Sequence, residues 1–190
     1  MTSLFEDMMV GLNQIEVFLR GGGGAVLSDC CRYRYVLGRK WWADGRCCTW
    51  LMLNPSTADA LNDDATIRKC VGFSRRWGYG RMLVINLFAL RFRDPKRLVT
   101  APDPVGPDYE QHLDAVIQYS SLVIAAWGCE STLRQGNLRE RPKIVIDHIL
   151  KLRPELPIVC LGASTRGTPY HPLMLSYDTL RVPFQVRPLI

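Results

Sequence analysis

A chain of 190 residues with 47% apolar and 22% charged residues can bury one well-formed core and has the balance of an ordinary globular protein. No apolar run reaches membrane-spanning length, and residues 1–20, with Glu6, Asp7 and Glu16, lack the basic start and apolar centre of a secretory leader, so a cytoplasmic protein without a membrane partner is expected. The net charge of +6 leans towards polyanions, and seven cysteines without C-x-x-C spacing read as structural thiols in a reducing compartment, not as a disulfide framework or metal site.

Residues 3–20 place Leu4, Met8, Leu12, Val17 and Leu19 at roughly helical spacing. The four glycines that follow, Gly21 to Gly24, are too costly in backbone entropy for a helix. Residues 1–24 are therefore expected to be a helical appendage with a glycine hinge, and residues 25–190 a single α/β domain. From Ala25 to Trp42, Tyr33, Tyr35 and Leu37 alternate with Arg32, Arg34 and Arg39, which predicts a half-exposed strand or hairpin with a basic outer face. Cys48 to Leu53 is apolar throughout and short, the pattern of a strand covered on both faces. It runs directly into Asn54-Pro55-Ser56-Thr57-Ala58-Asp59, where Pro55 fixes φ and biases Asn54 to an extended conformation, presenting its amide at the strand's carboxyl end.

Asp63 and Asp64 precede a helix carrying Ile67, Cys70, Val71 and Trp77, and admit two readings, a helix cap or a metal pair for phosphodiester cleavage. Residues 81–88 form a second buried strand. A long loop bearing Arg91, Arg93, Lys96 and Arg97 follows, of a length that in a compact domain is functional or mobile. A helix is predicted over 107–120, a strand over 121–127, a helix over 142–152 with Pro142 in its first turn, and a strand over 156–161. The last strand opens into a glycine- and hydroxyl-rich loop with His171 near its end, and residues 182–190 add a short terminal strand. His112 and His148 fall in helix patterns and read as surface residues.

Strand and helix alternating about four times predicts a mostly parallel sheet with helices on both faces, whose strand exits share one rim. That rim would collect Asn54, Ser56, Asn86, Arg91, Trp127, Ser164, Arg166 and His171. Neither a phosphate-cradling G-x-x-x-x-G-K-[ST] loop nor a G-x-G-x-x-G fingerprint is present, and no cofactor or metal is expected. Amides, hydroxyls, one histidine, an aromatic ring and arginines suit a planar heterocycle attached to a phosphate. Asparagine offers a donor and an acceptor to a base edge, Trp127 or Phe88 could stack on its face, and Arg and Ser could hold phosphates.

Met52-Leu-Asn-Pro-Ser56, Leu83-Val-Ile-Asn-Leu-Phe88 with Arg91-Phe-Arg-Asp-Pro95, and Tyr170-His-Pro-Leu173 resemble, in order and spacing, motifs of the uracil-DNA glycosylase superfamily, especially its mismatch-specific branch. Across nearly the whole chain, C-R-Y-R-Y, L-N-P-S-T-A-D, D-D-x-T-I-R, N-L-F-A-L-R and D-P-V-G-P are also similar to the bacterial and phage family called domain of unknown function 1643, which brings no established activity. The superfamily resemblance implies a three-layer αβα sandwich around a mostly parallel four-stranded sheet. It also implies hydrolysis of the N-glycosidic bond of a damaged, mismatched or modified base flipped from the stack. Asn54 would then position water or contact the base, His171 would stabilise the departing base, and Leu173 or Met174 would fill the vacated stack. Pro55 and Thr57 belong to the same substrate-binding turn. Asp59, Asp63 and Asp64 are candidate general bases on chemistry alone.

The chain departs from the superfamily pattern at Met52, Leu53, Ser56 and Leu173, and carries Asn54 where the most active branch has an aspartate. A glycosylase-like enzyme with DNA as its partner is the leading expectation. A non-catalytic sensor of a nucleotide or modified base and a metal-dependent nuclease are the alternatives.

Overall fold

The computed structural model describes residues 4–43, 45–56, 62–128 and 130–185. Seven strands form one sheet: β1 (Gly23–Leu27), β2 (Arg34–Lys40), β3 (Cys47–Met52), β4 (Arg81–Asn86), β5 (Leu122–Ala125), β6 (Ile158–Cys160) and β7 (Val182–Pro183), in the spatial order β1-β2-β4-β3-β5-β6-β7. The four central strands pair in parallel, while β1 with β2, β2 with β4 and β6 with β7 pair antiparallel. The α/β class agrees with the expectation. In place of the expected four-stranded sheet there is a mixed one of seven strands among the described residues, because antiparallel strands extend it at both edges, β2 and β1 at one and the two-residue β7 at the other.

The α-helices among the described residues are α1 (Leu4–Arg20), α2 (Ala65–Arg76), α3 (Tyr109–Tyr119), the one-turn α4 (Glu130–Leu133) and α5 (Arg141–Leu152). Ile67, Cys70 and Phe73 of α2 bury against Trp50, Met82, Val84 and Ile124 on one face. Ile15 and Leu19 of α1, Leu113 and Val116 of α3, and Val145 and Ile149 of α5 bury against Leu51, Leu83, Ile85 and Val123 on the other. Opposite-face placement follows from right-handed crossovers: β3 to β4 steps one way across the sheet, and β4 to β5 steps back past β3. That reversal makes the crevice beside β3 and β5 the switch point, where open parallel sheets bind ligands.

The N-terminal helix is part of this unit. Ile15 and Leu19 are 1% and 2% exposed, and Gly23 and Gly24 pair with Arg39 and Gly38 instead of forming a hinge. Gly24 and Gly38 leave the space that the Phe18 ring fills, so the glycines seat α1 closely on the sheet edge.

The second edge feature is a bulge. Val26 pairs with Val36 but Leu27 pairs with Arg34, so Tyr35 is an extra residue on β2. The expected alternation therefore breaks, and Arg34 turns inward. It is 3% exposed, not part of a basic outer face; Arg32 is exposed, and Arg39 is tied to Asp63 by Nε and Nη2, each at 2.8 Å. His112 also corrects the expectation of a surface residue. It is 7% exposed and stacks on Tyr35, with ring centroids 4.6 Å apart. His148 is half-buried, its Nε2 2.6 Å from Asp114. No helix among the described residues is long and apolar enough to cross a membrane.

Candidate functional site

Three central strands end side by side. Met52 of β3 is paired with Asn86 of β4, and Leu51 with Ala125 of β5, two residues before Trp127. The ladder continues beyond the strands, with the Leu87 and Phe88 amides donating to the Met52 and Leu53 carbonyls at 2.7 and 3.0 Å. The turn after β3 is fastened to the loop after β4: Asn54 Nδ2 donates to the carbonyl of Phe92 at 2.8 Å, and the Phe92 amide donates to the carbonyl of Pro55 at 3.1 Å. The start of β2 lies against this same end, where the Arg34 amide donates to the Ala89 carbonyl at 2.9 Å.

His171 reaches the rim from the far side of the sheet. The loop after β6 is pinned to the end of β5, with the Gly128 amide donating to the Pro169 carbonyl at 3.1 Å. Gly128 has φ of +52°, and a Cβ there would lie 2.9 Å from the Cβ of His171, so a glycine is needed for this approach. Further along, Gly72 of α2 leaves room for the Tyr177 ring, which also packs edge-on against Phe73 and lies beneath Lys69 and Arg76. The segment bearing His171 is thereby clamped at both ends.

Together these elements enclose a cavity of about 330 Å³. Of the residues singled out from the sequence, Asn54, Ser56, Asp64, Asn86, Trp127 and His171 line it. The cavity is small for a drug-sized ligand and adequate for a heterocycle. Its polar groups are specific. Asn86 is 3% exposed, and its buried Oδ1 has no hydrogen-bond partner, an unusual cost for a side-chain amide. His171 Nδ1 accepts from the Leu173 amide at 3.3 Å, which assigns the ring proton to Nε2. Burial lowers the His171 pKa below its ordinary 6.5, against the opposing charge of Asp64, so the ring is a neutral donor at neutral pH. Arg34 lines the cavity as well; burial, and secondarily Arg91, lower its pKa to about 10, which leaves it charged.

Asp64 is the N-cap of α2. Its Oδ1 accepts from the Ile67 amide at 2.8 Å and its Oδ2 accepts from the Ser56 hydroxyl. With Asp63 held by Arg39, both aspartates have structural partners, and no group of three or more metal-ligating side chains occurs among the described residues.

Other expected site residues lie elsewhere. Phe88 is 2% exposed in the core on the α3 side and offers no face to a ligand. Ser164 and Arg166 sit in a tight loop closed by an Ala163–Pro169 bridge. Ser164 lines a separate cavity beside β7, and Arg166 lines no described cavity, because β6 exits beyond β5, away from Asn86. Leu173 is 40% exposed beside the cavity, not within it, and Met174 is 90% exposed. Pro55 is buried and serves through its carbonyl. Arg91 lines an adjoining groove. Thr57 and Asp59 lie outside the described residues. Arg34, Thr66, Phe92 and Arg93 line the cavity unanticipated. Arg34 and Arg93 carried a signal, as arginines flanking tyrosines and following the second asparagine.

Fold and cavity define an α/β protein with a heterocycle-sized site at the switch point of its sheet. The model of the family described as Protein of unknown function (DUF1643) matches residues 34–173, and the chain belongs to that family. Searches of curated proteins and of solved structures find no match. The matched span runs from Arg34 to Leu173 and includes every described residue that lines the cavity.

Proposed function

We propose that the cavity receives a nucleobase flipped out of a DNA strand, and that the protein is a glycosylase-like hydrolase for a damaged, mismatched or modified base. The observation that carries this reading is Asn86, which lines a cavity of heterocycle size with Asn54 and His171 and whose buried Oδ1 has no hydrogen-bond partner. An unmet acceptor at that depth is complementary to a ring N–H. Within this reading the four parallel strands and their helices form the three-layer, uracil-DNA glycosylase-like sandwich that the motif order suggests.

Hydrolysis would proceed by attack of water on the sugar's anomeric carbon as the base leaves with the glycosidic electron pair. Asn54 Nδ2 is engaged by backbone, so its amide oxygen is the group available to orient the water. Asp64, held by the Ser56 hydroxyl and the Ile67 amide, accepts the water's proton. The Nε2–H of His171 stabilises charge on the departing base. Trp127 provides an apolar wall, and exposed Met174 and Leu173 are placed to enter the vacated stack. The six described cysteines are all free, which suits a reducing cytoplasm.

One observation favours a second reading, binding without cleavage: Asp64 is committed at both oxygens, and no aspartate stands at position 54. Incubation with duplexes carrying uracil, hypermodified pyrimidines or mismatches, followed by detection of abasic sites, separates the two. Abasic product lost in Asp64→Asn and His171→Ala supports the enzyme. Base-dependent binding without product supports the sensor. Absence of both rejects the site.

A further inference from the structure

Next to the base cavity lies a groove of about 410 Å³ to which Arg32, Arg91 and Arg93 all contribute. The two spaces share a wall, since Ser56, Phe92 and Arg93 border both. No carboxylate is among the described residues that line the groove. Its floor is built and held: the Arg91 amide donates to the Arg32 carbonyl at 3.0 Å, and Arg91 Nη1 donates to the Cys31 carbonyl at 3.1 Å. Cys31 adopts φ of +56°, alone among the described non-glycine residues, at the corner that supplies this carbonyl. The Arg91 Nε is buried with no hydrogen-bond partner, while Arg32 and Arg93 are exposed. Three arginines thus line one solvent-open groove, one of them anchored through Nη1 and with a buried, unmet Nε donor, one wall away from a cavity of heterocycle size.

We propose that this groove is a phosphate subsite, in which Arg32, Arg91 and Arg93 hold a phosphate attached to the nucleoside seated in the adjoining cavity. The inference rests on the base-binding reading of that cavity and adds what the cavity alone does not specify, the path of the phosphates. They cross the loops before β2 and after β4, and not the Ser164–Arg166 loop. Guanidinium forks match phosphate oxygens in pairs, and the Ser56 hydroxyl on the shared wall lies where base and phosphate would join.

Fluorescence anisotropy with two labelled single strands across a salt series tests it, one strand carrying whichever of the assayed bases binds best and one an abasic analogue. Arg32→Gln and Arg93→Gln are expected to weaken both strands about 3- to 10-fold each, and to reduce the salt slope by about 0.7 for each phosphate no longer neutralised. Arg93→Lys should recover most of the loss. Arg20→Gln, which alters neither space, should match wild type. Asn86→Leu should weaken only the strand with its base; if it changes nothing while the arginine variants do, the groove stands and the base reading fails. Competition by a nucleoside monophosphate that is itself weakened by Arg93→Gln would identify a free nucleotide as the phosphate source. A response confined to oligonucleotides would identify the strand backbone. Wild-type affinity and salt slope in both Arg32→Gln and Arg93→Gln would overturn the proposal.

Discussion

One arginine and one histidine sit together on the α3 and α5 side of the sheet and another such pair at its rim, and their surroundings differ. On the α3 and α5 side, Arg141 donates from Nε to the Leu87 carbonyl at 2.9 Å, lies 3.6 Å from Glu110 and rests on the Tyr109 ring, while His112 is stacked on Tyr35. At the β3, β4 and β5 exits, Arg34 and His171 border a cavity together with the unpartnered Asn86 oxygen. Burial of a charged or titratable side chain is therefore not what marks a site. The distinguishing feature is convergence: at the rim an arginine, a histidine and two asparagines border one cavity.

The largest expected effect belongs to the closed side and concerns pH. Burial lowers the His112 pKa to about 4, despite Asp108, from an ordinary 6.5. The unfolded chain therefore binds a proton below pH 6.5 that the folded protein refuses until about pH 4. The stability contribution is complete above 6.5 and is lost as pH falls across that window, by on the order of 3 kcal/mol. Urea titrations between pH 7 and pH 4.5 should show this loss and its reduction in His112→Phe, which keeps the stacking. Equal pH slopes would place His112 in water and break the contrast.

Arg141→Met comes next. It strands the Leu87 carbonyl and removes the cation over Tyr109, at a cost of about 2 kcal/mol measurable as a lower urea midpoint. Oligonucleotide affinity per folded molecule should be unchanged, since Arg141 borders neither the cavity nor the groove. A loss of affinity in well-folded protein would mean that the two sides are coupled.

The smallest effect has the opposite sign. Asn86→Leu replaces an unsatisfied buried amide by an apolar side chain of similar size, and should raise stability by about 1 kcal/mol. A lower urea midpoint would mean that Asn86 has a structural partner, and the difference between the two sides would disappear.

Much of this arrangement was legible in the sequence because it rests on local pattern. Uniformly apolar runs ending at Asn54, Asn86 and Trp127 marked parallel strands and their exits, and Asp64 stood where a cap belongs. What escaped depends on non-local geometry. Arg34 faces the cavity because Tyr35 is a bulge, which alternation cannot register. Phe88 lies in the core with the residues of α3, although it sits in the same motif as Asn86. Ser164 and Arg166 share an exit end with Asn54, but β6 lies on the far side of β5 and its loop is folded back on itself. His112 is buried only because α3 lays it on a tyrosine more than seventy residues earlier. Gly24 read as part of a break and serves instead, with Gly38, as a seat for Phe18.

The most direct test of the rim as a base-binding catalytic site is base release, measured side by side for wild type and Asn86→Leu on the same panel of duplexes. Abasic product from wild type and none from the variant, at equal folded concentration, is the expected result. Equal product from both, or none from either with no base-dependent binding, would contradict it.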